Sequence, residues 1–160
     1  MSRSRGAANR SLYRARILLE CWDKARDEAR VPQDQLTEAF LPAVRNHLRD
    51  AYGWFLRSVA GIEEAPDASP PPSSTQELPE HEAGRARPPE LAEFALLERD
   101  GWLAELLASS SESATGTAPT QWSPNVLGSD RQAPGFAVAE DWLRRLNATM
   151  QRMDDSMAEC

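Results

Sequence analysis

Five arginines, Arg3, Arg5, Arg10, Arg14 and Arg16, fall within the first sixteen residues, and no acid precedes Glu20. Guanidinium groups at this density are donors for phosphates, carboxylates or an anionic lipid surface, where each contributes about 1 kcal/mol. Tyr13 among them and Trp22 beyond them carry rings able to stack on bases or anchor at an interface. A second polar group, Arg45, Asn46, His47, Arg49 and Tyr52, is packed into two turns of chain. Helical ribonucleases that work with an arginine and a histidine space them four to six residues apart. Here His47 follows Arg45 by two, which sends the side chains to different sides of a helix. The expectation for His47 is structural: it sits beside Val44 and Leu48 and satisfies one ring nitrogen locally.

The other chemistries lack their ligands. The chain has no Cys-x-x-Cys, no glycine-rich phosphate loop, no Gly-x-Ser-x-Gly elbow and no Glu-x-x-His. With two histidines, a catalytic zinc would draw on carboxylates or thiols at no recognisable spacing. No catalytic, metal-binding or cofactor-binding residue is therefore assigned, and the expectation is a protein that is not an enzyme. Cys21 and Cys160 read as two free thiols, Cys21 as a small buried residue among Leu18, Leu19 and Trp22.

The elements that must position these residues are helices. Leu12, Ala15, Leu18, Leu19, Trp22, Ala25 and Ala29 recur at steps of three and four and predict a helix over 8–30, ended by Val31-Pro32. Leu36, Phe40, Val44, Leu48, Ala51, Phe55, Val59 and Ile62 predict a second over 34–60, with Asp34 as N-cap, Gly61 as C-cap and Pro42 kinking or splitting it. The short link makes the two an antiparallel hairpin. A third segment opens at Pro89 and breaks near Asp100-Gly101 into a second piece carrying Trp102, Leu103, Leu106 and Leu107. The last helix covers 137–157, with a stripe of Val138, Trp142, Leu146, Met150, Met153 and Met157. Strand-like alternation is absent. The fold class is all-α: a bundle of about four helices with an N-terminal antiparallel hairpin and two flexible loops.

Residues 1–160 thus form one helical domain with three irregular parts. Residues 1–7 read as a flexible arm. Residues 63–88 contain Pro70 to Pro72 followed by Ser73 and Ser74, and read as an acidic, exposed and largely disordered linker. Residues 109–136 read as an irregular loop that Trp122, Val126 and Leu127 pin to the bundle. Trp22, Trp54, Trp102 and Trp142, one per helix, read as core residues whose indole N–H reaches the surface.

The net charge of −7 is unevenly spread. Residues 1–30 carry +4, residues 31–62 balance, and residues 63–160 carry −11. The acidic majority disfavours broad nucleic-acid binding, while the basic head remains open to an anionic partner. No run reaches the ~20 apolar residues of a membrane span, and the stretch 15–22 is too short and charged for a secretory signal.

Ser11-Leu12-Tyr13-Arg14-Ala15-Arg16-Ile17-Leu18-Leu19 with Trp22, the long second helix ending Ser58-Val59-Ala60, the segment Gly101 to Leu107 and the closing Trp142-Leu143-Arg144-Arg145-Leu146 with Met150 resemble an uncharacterised family of small helical proteins from gammaproteobacteria. Pro42 and the proline-rich insertion depart from that pattern. The resemblance implies a helical bundle in a bacterial cytoplasm and supplies no activity. The expected function is a protein-binding or scaffold module. Contact with nucleic acid or an anionic membrane through Arg3, Arg5, Arg10, Arg14 and Arg16 is one alternative, and an unrecognised enzyme or small-molecule binder another.

Overall fold

A computed structural model of the chain describes residues 2–62, 69–79, 88–108 and 135–158. Among them are five α-helices and no strand: α1 (Arg3–Glu28), α2 (Gln33–Val59), α3 (Pro89–Asp100), α4 (Trp102–Ala108) and α5 (Phe136–Ala158). The most extensive interface joins α1 and α2, the expected hairpin. α5 packs on both, and α3 and α4 close the remaining side of α2.

The apolar stripes account for the packing. Leu12, Ala15, Leu19 and Trp22 of α1 are buried against Val44, Leu48, Ala51 and Phe55 of α2 in one cluster, which Trp142, Leu146, Met150 and Met153 of α5 complete. Trp22 stacks on Phe40 with ring centres 5.8 Å apart and meets the edge of Phe136, the first residue of α5, at 5.4 Å. Phe94 of α3 is wedged edge-on between Tyr52 and Phe55, at 5.1 and 5.9 Å. Trp22 and Trp142 are core residues, and Trp54 and Trp102 are half-buried. The indole N–H of Trp22 does not reach the surface as expected: Nε1 is buried with no hydrogen-bond partner among the described residues.

The end of α2 is set by Gly61, whose φ of 69° is the left-handed conformation that a side chain strains. With it, Gly61 N–H donates to Ser58 O and Ile62 N–H to Arg57 O, the paired bonds of a Schellman motif. At the other end Pro32, not Asp34, is the cap, and Asp34 lies inside the first turn, where its charge suits the helix dipole. Pro42 does not split α2. It is solvent-exposed, as is Glu38, so water can serve the carbonyl that proline cannot bond.

Three expectations need correction. Residues 1–7 are not a flexible arm: α1 begins at Arg3, capped by Ser2, whose Oγ accepts from Arg5 N–H at 3.1 Å. Ser4 and Ala7 are buried, Ser2 and Ser58 share a hydroxyl contact at 3.0 Å, and Ser4 Oγ donates to Ile62 O. The helix starts earlier than its apolar stripe because small residues let α1 approach the end of α2. Cys21, expected inside, is exposed, one position off the buried stripe.

The third correction concerns 69–79 of the segment expected to be a disordered linker. Thr75–Glu77 is a 3-10 turn and Thr75 is buried. Thr75 donates to Glu98 of α3 twice, from N to Oε1 at 2.7 Å and from Oγ1 to Oε2 at 2.6 Å, while Tyr52 Oη donates to the same Oε1 at 2.6 Å. Proline content argues against a helix but not against a strap, since prolines have little entropy to lose on docking. Gly53 makes room for it: a Cβ there would run into Pro72 O and stand 2.8 Å from Pro71 Cβ. Residues 63–68 and 80–87 of that expected linker lie outside the described residues, as do 109–134 of the expected loop with Trp122, Val126 and Leu127.

Two outcomes follow for stability. Leu146→Ala leaves a cavity in a fully buried site and is expected to cost about 2–5 kcal/mol in chemical denaturation, and Leu143→Ala, at a half-buried position, clearly less. Gly53→Ala forces the strap off α2 and is expected to cost ~1–3 kcal/mol, with faster proteolysis within 69–79 than in wild type.

Candidate functional site

The five N-terminal arginines do not act as one cluster, because the helix distributes them. Arg5 turns inward: it pairs with Asp154 of α5, and its guanidinium lies 4.8 Å over the ring of Phe55. Burial raises the Asp154 carboxyl above its ordinary range, with the Arg5 charge opposing the rise. Arg16 leaves α1 on the α5 side, lining a groove of about 720 Å³ with Glu140, Asp141 and Arg144. Arg3, Arg10 and Arg14 remain. Separations of seven and four residues hold them within ~40° of one another around α1. All three are exposed, and none makes an ion pair with a described residue. Arg14 stands near enough to the hairpin partner for its charge to be felt at Asp50.

Beside these arginines lie two of the few large apolar side chains in solvent. Tyr13 is 62% exposed and Ile17 41%. They are four residues apart, so they stack along one line of the helix, with Arg10 and Arg14 one turn away on the flank. Tyr13 is therefore free to contact a partner, as the sequence allows. Trp22 is not, since its ring is enclosed by Phe40 and Phe136. Ile17 was hidden in the sequence within the apolar run 17–19. Its signal was position: it falls outside the three-and-four stripe of Leu12, Ala15 and Leu19.

The second polar group is dispersed. Arg45 lies 4.9 Å over the ring of Trp142, and burial, then the charge of Arg49, lowers its pKa from the ordinary arginine value. Nδ1 of His47 is buried with no hydrogen-bond partner among the described residues, so the local satisfaction expected for this ring is not made there at that atom. Asp50 is raised by burial, against the charges of His47, Arg49 and Arg14. Asn46 and Arg49 line a cleft of about 300 Å³ beneath Pro71 and Pro72. Tyr52 is spent on Glu98, and burial together with that bond holds its hydroxyl protonated far above the usual tyrosine range. Arg45 and Tyr52 thus turn to different neighbours, and His47 joins neither. Among the described residues no group of three or more His, Cys, Asp or Glu is gathered to hold a metal ion. None of the helices described is long and apolar enough to cross a membrane.

The geometry leaves the outer face of α1, with Arg3, Arg10, Tyr13, Arg14 and Ile17, as the candidate site. Arginine and tyrosine are the side chains that dominate binding energy when an interface desolvates them. No curated protein and no solved structure matches the chain. Over residues 1–160 the sequence matches a family pattern, and the chain belongs to that family of unknown function, DUF6586.

Proposed function

We propose that this protein is a non-catalytic protein-binding module of the bacterial cytoplasm, and that the outer face of α1 is its contact surface. The observation that carries this reading is the exposure of Tyr13 and Ile17 on one line of a helix whose opposite side is fully occupied by the core. Folding explains the buried face of α1 and gives no reason for a tyrosine and an isoleucine in water between arginines. A tyrosine supplies a large rigid contact with little rotamer entropy to lose, and arginine a bidentate donor. The turning of Arg45 to Trp142 and of Tyr52 to Glu98 agrees with a module that binds without chemistry. The cytoplasmic bacterial setting is what the family resemblance implies.

A photo-reactive phenylalanine analogue at position 13, with a second at position 96 as control, tests the reading in cell lysate. Leu96 is also well exposed, at 59%, but lies on α3 away from the arginines. The expected result is a discrete protein adduct from position 13 and not from position 96, lost when Arg10 and Arg14 become glutamate. An adduct that nuclease digestion removes would transfer the face to nucleic acid. Equal adducts from both positions would show that the α1 face is not special.

A further inference from the structure

The geometry points to a partner of defined chemistry for the α1 face: an acidic amphipathic helix of another protein, whose apolar side chains cover Tyr13 and Ile17 and whose carboxylates meet Arg10 and Arg14. The inference rests on the protein-binding reading above and narrows it.

Three features of the face carry it. The first is charge. α1 has no acid before Glu20, and Arg3, Arg10 and Arg14 face solvent with no ion pair to a described residue, although the whole chain is at −7. Within a Debye length of about 8 Å the local sign governs, so the face attracts carboxylates although the chain as a whole is negative. A partner whose negative charge is compact can be accepted there without reaching the acidic remainder.

The second is extent. Arg3 to Arg14 spans eleven residues, about 16 Å of helix. A nucleic acid is a continuous polyanion that runs past both ends of such a stripe. Three phosphate contacts would also give it only a shallow salt slope and weak binding. A planar anionic membrane meets the same three charges and gains only two apolar side chains, well short of stable interfacial anchoring. A helix of a few turns ends where the stripe ends.

The third is spacing. Tyr13 and Ile17 form a ridge at i and i+4, and Arg10 and Arg14 repeat the same step beside it. A helix laid alongside presents its own side chains at three and four, so ridge meets groove and each carboxylate recurs opposite an arginine. This is the arrangement by which flanking charges choose partners in coiled coils. The apolar centre is only two side chains wide, so the contact is weak without its charges. Association is then fast and salt-sensitive, and the charges serve selectivity more than raw affinity.

The test titrates the full chain with a labelled synthetic peptide of about 20 residues, helical, with leucines at three-and-four spacing and glutamates on both flanks. Parallel titrations use poly-glutamate, a single-stranded RNA oligonucleotide of equal charge, and vesicles containing phosphatidylserine. The amphipathic acidic peptide is expected to bind best. Its affinity should fall about tenfold with Tyr13→Ala, an effect typical of an interface anchor. It should fall at least as far with Arg10→Gln and Arg14→Gln together, and weaken steeply with salt. Arg99→Glu, on α3, should leave binding unchanged, and far-UV circular dichroism checks that each variant is folded. Equal binding of poly-glutamate would remove the role given to Tyr13 and Ile17. Tighter binding of RNA or vesicles, no binding of the peptide, or indifference to the arginine substitutions would overturn the inference. If position 13 cross-links a protein but the peptide fails to bind, the acidic-helix partner falls and the protein-binding reading stands.

Discussion

A pair of helices cannot by itself dry the apolar surface of α2. Its buried positions, Val44, Leu48, Ala51, Tyr52, Phe55, Leu56 and Val59, sweep more than the width that α1 covers, and everything else in the fold closes the remainder. α5 fills the groove along the hairpin with Trp142, Leu146, Met150 and Met153, and α3 with α4 supplies Leu91, Phe94, Leu103 and Leu106. An isolated helix of this length is marginal in water, so these segments are helical because α2 offers them a surface on which to bury a face.

The same demand explains the Glu98 junction. Tyr52 belongs to the buried side of α2, and a buried hydroxyl without a partner costs about 1–3 kcal/mol. Glu98 accepts it, and then accepts the backbone and side chain of Thr75, so three separate stretches of chain meet on one carboxylate. The strap of prolines follows from that junction: once Thr75 is held, Pro71 and Pro72 are laid over Gly53, where the absence of a Cβ lets them sit. Residues that look like spacer in the sequence thus help seal the core. Not every buried polar group is so served, since Trp22 Nε1 and His47 Nδ1 make no hydrogen bond with a described residue.

Against this packed interior, the outer face of α1 stands apart in kind. Arg5 spends its charge inside the bundle on Asp154 and Phe55, stabilising the join of α1 to α5 and α2. Arg3, Arg10 and Arg14 make no ion pair with a described residue, although the charge of Arg14 is felt at Asp50, and they lie beside two apolar side chains that the fold leaves exposed. Surface charges of this kind contribute little to stability.

Hydrophobic periodicity determined that the chain is helical and most of the residues of α1, α2 and α5 that face inward, because a helix repeats every 3.6 residues whatever packs against it, while Tyr52 and Leu56 lay off the stripe and are buried by α2's further neighbours. Pro89 opening α3, Gly101 between α3 and α4, and Gly61 closing α2 were legible for the same reason: each acts through its own backbone. What only the tertiary structure decided are the matters that join residues distant in sequence. Ser2 and Ser4 look like the polar start of a loose arm until Ser58 and Ile62 are brought against them. Thr75 reads as spacer until Glu98 reaches it from α3. The five arginines are equivalent in composition, and the three-dimensional fold divides them, sending Arg5 to a carboxylate 149 positions away and leaving Arg10 and Arg14 beside Tyr13 and Ile17. Local geometry is written in neighbouring residues, whereas a partner for a charge or a hydroxyl exists only after the chain has folded back on itself.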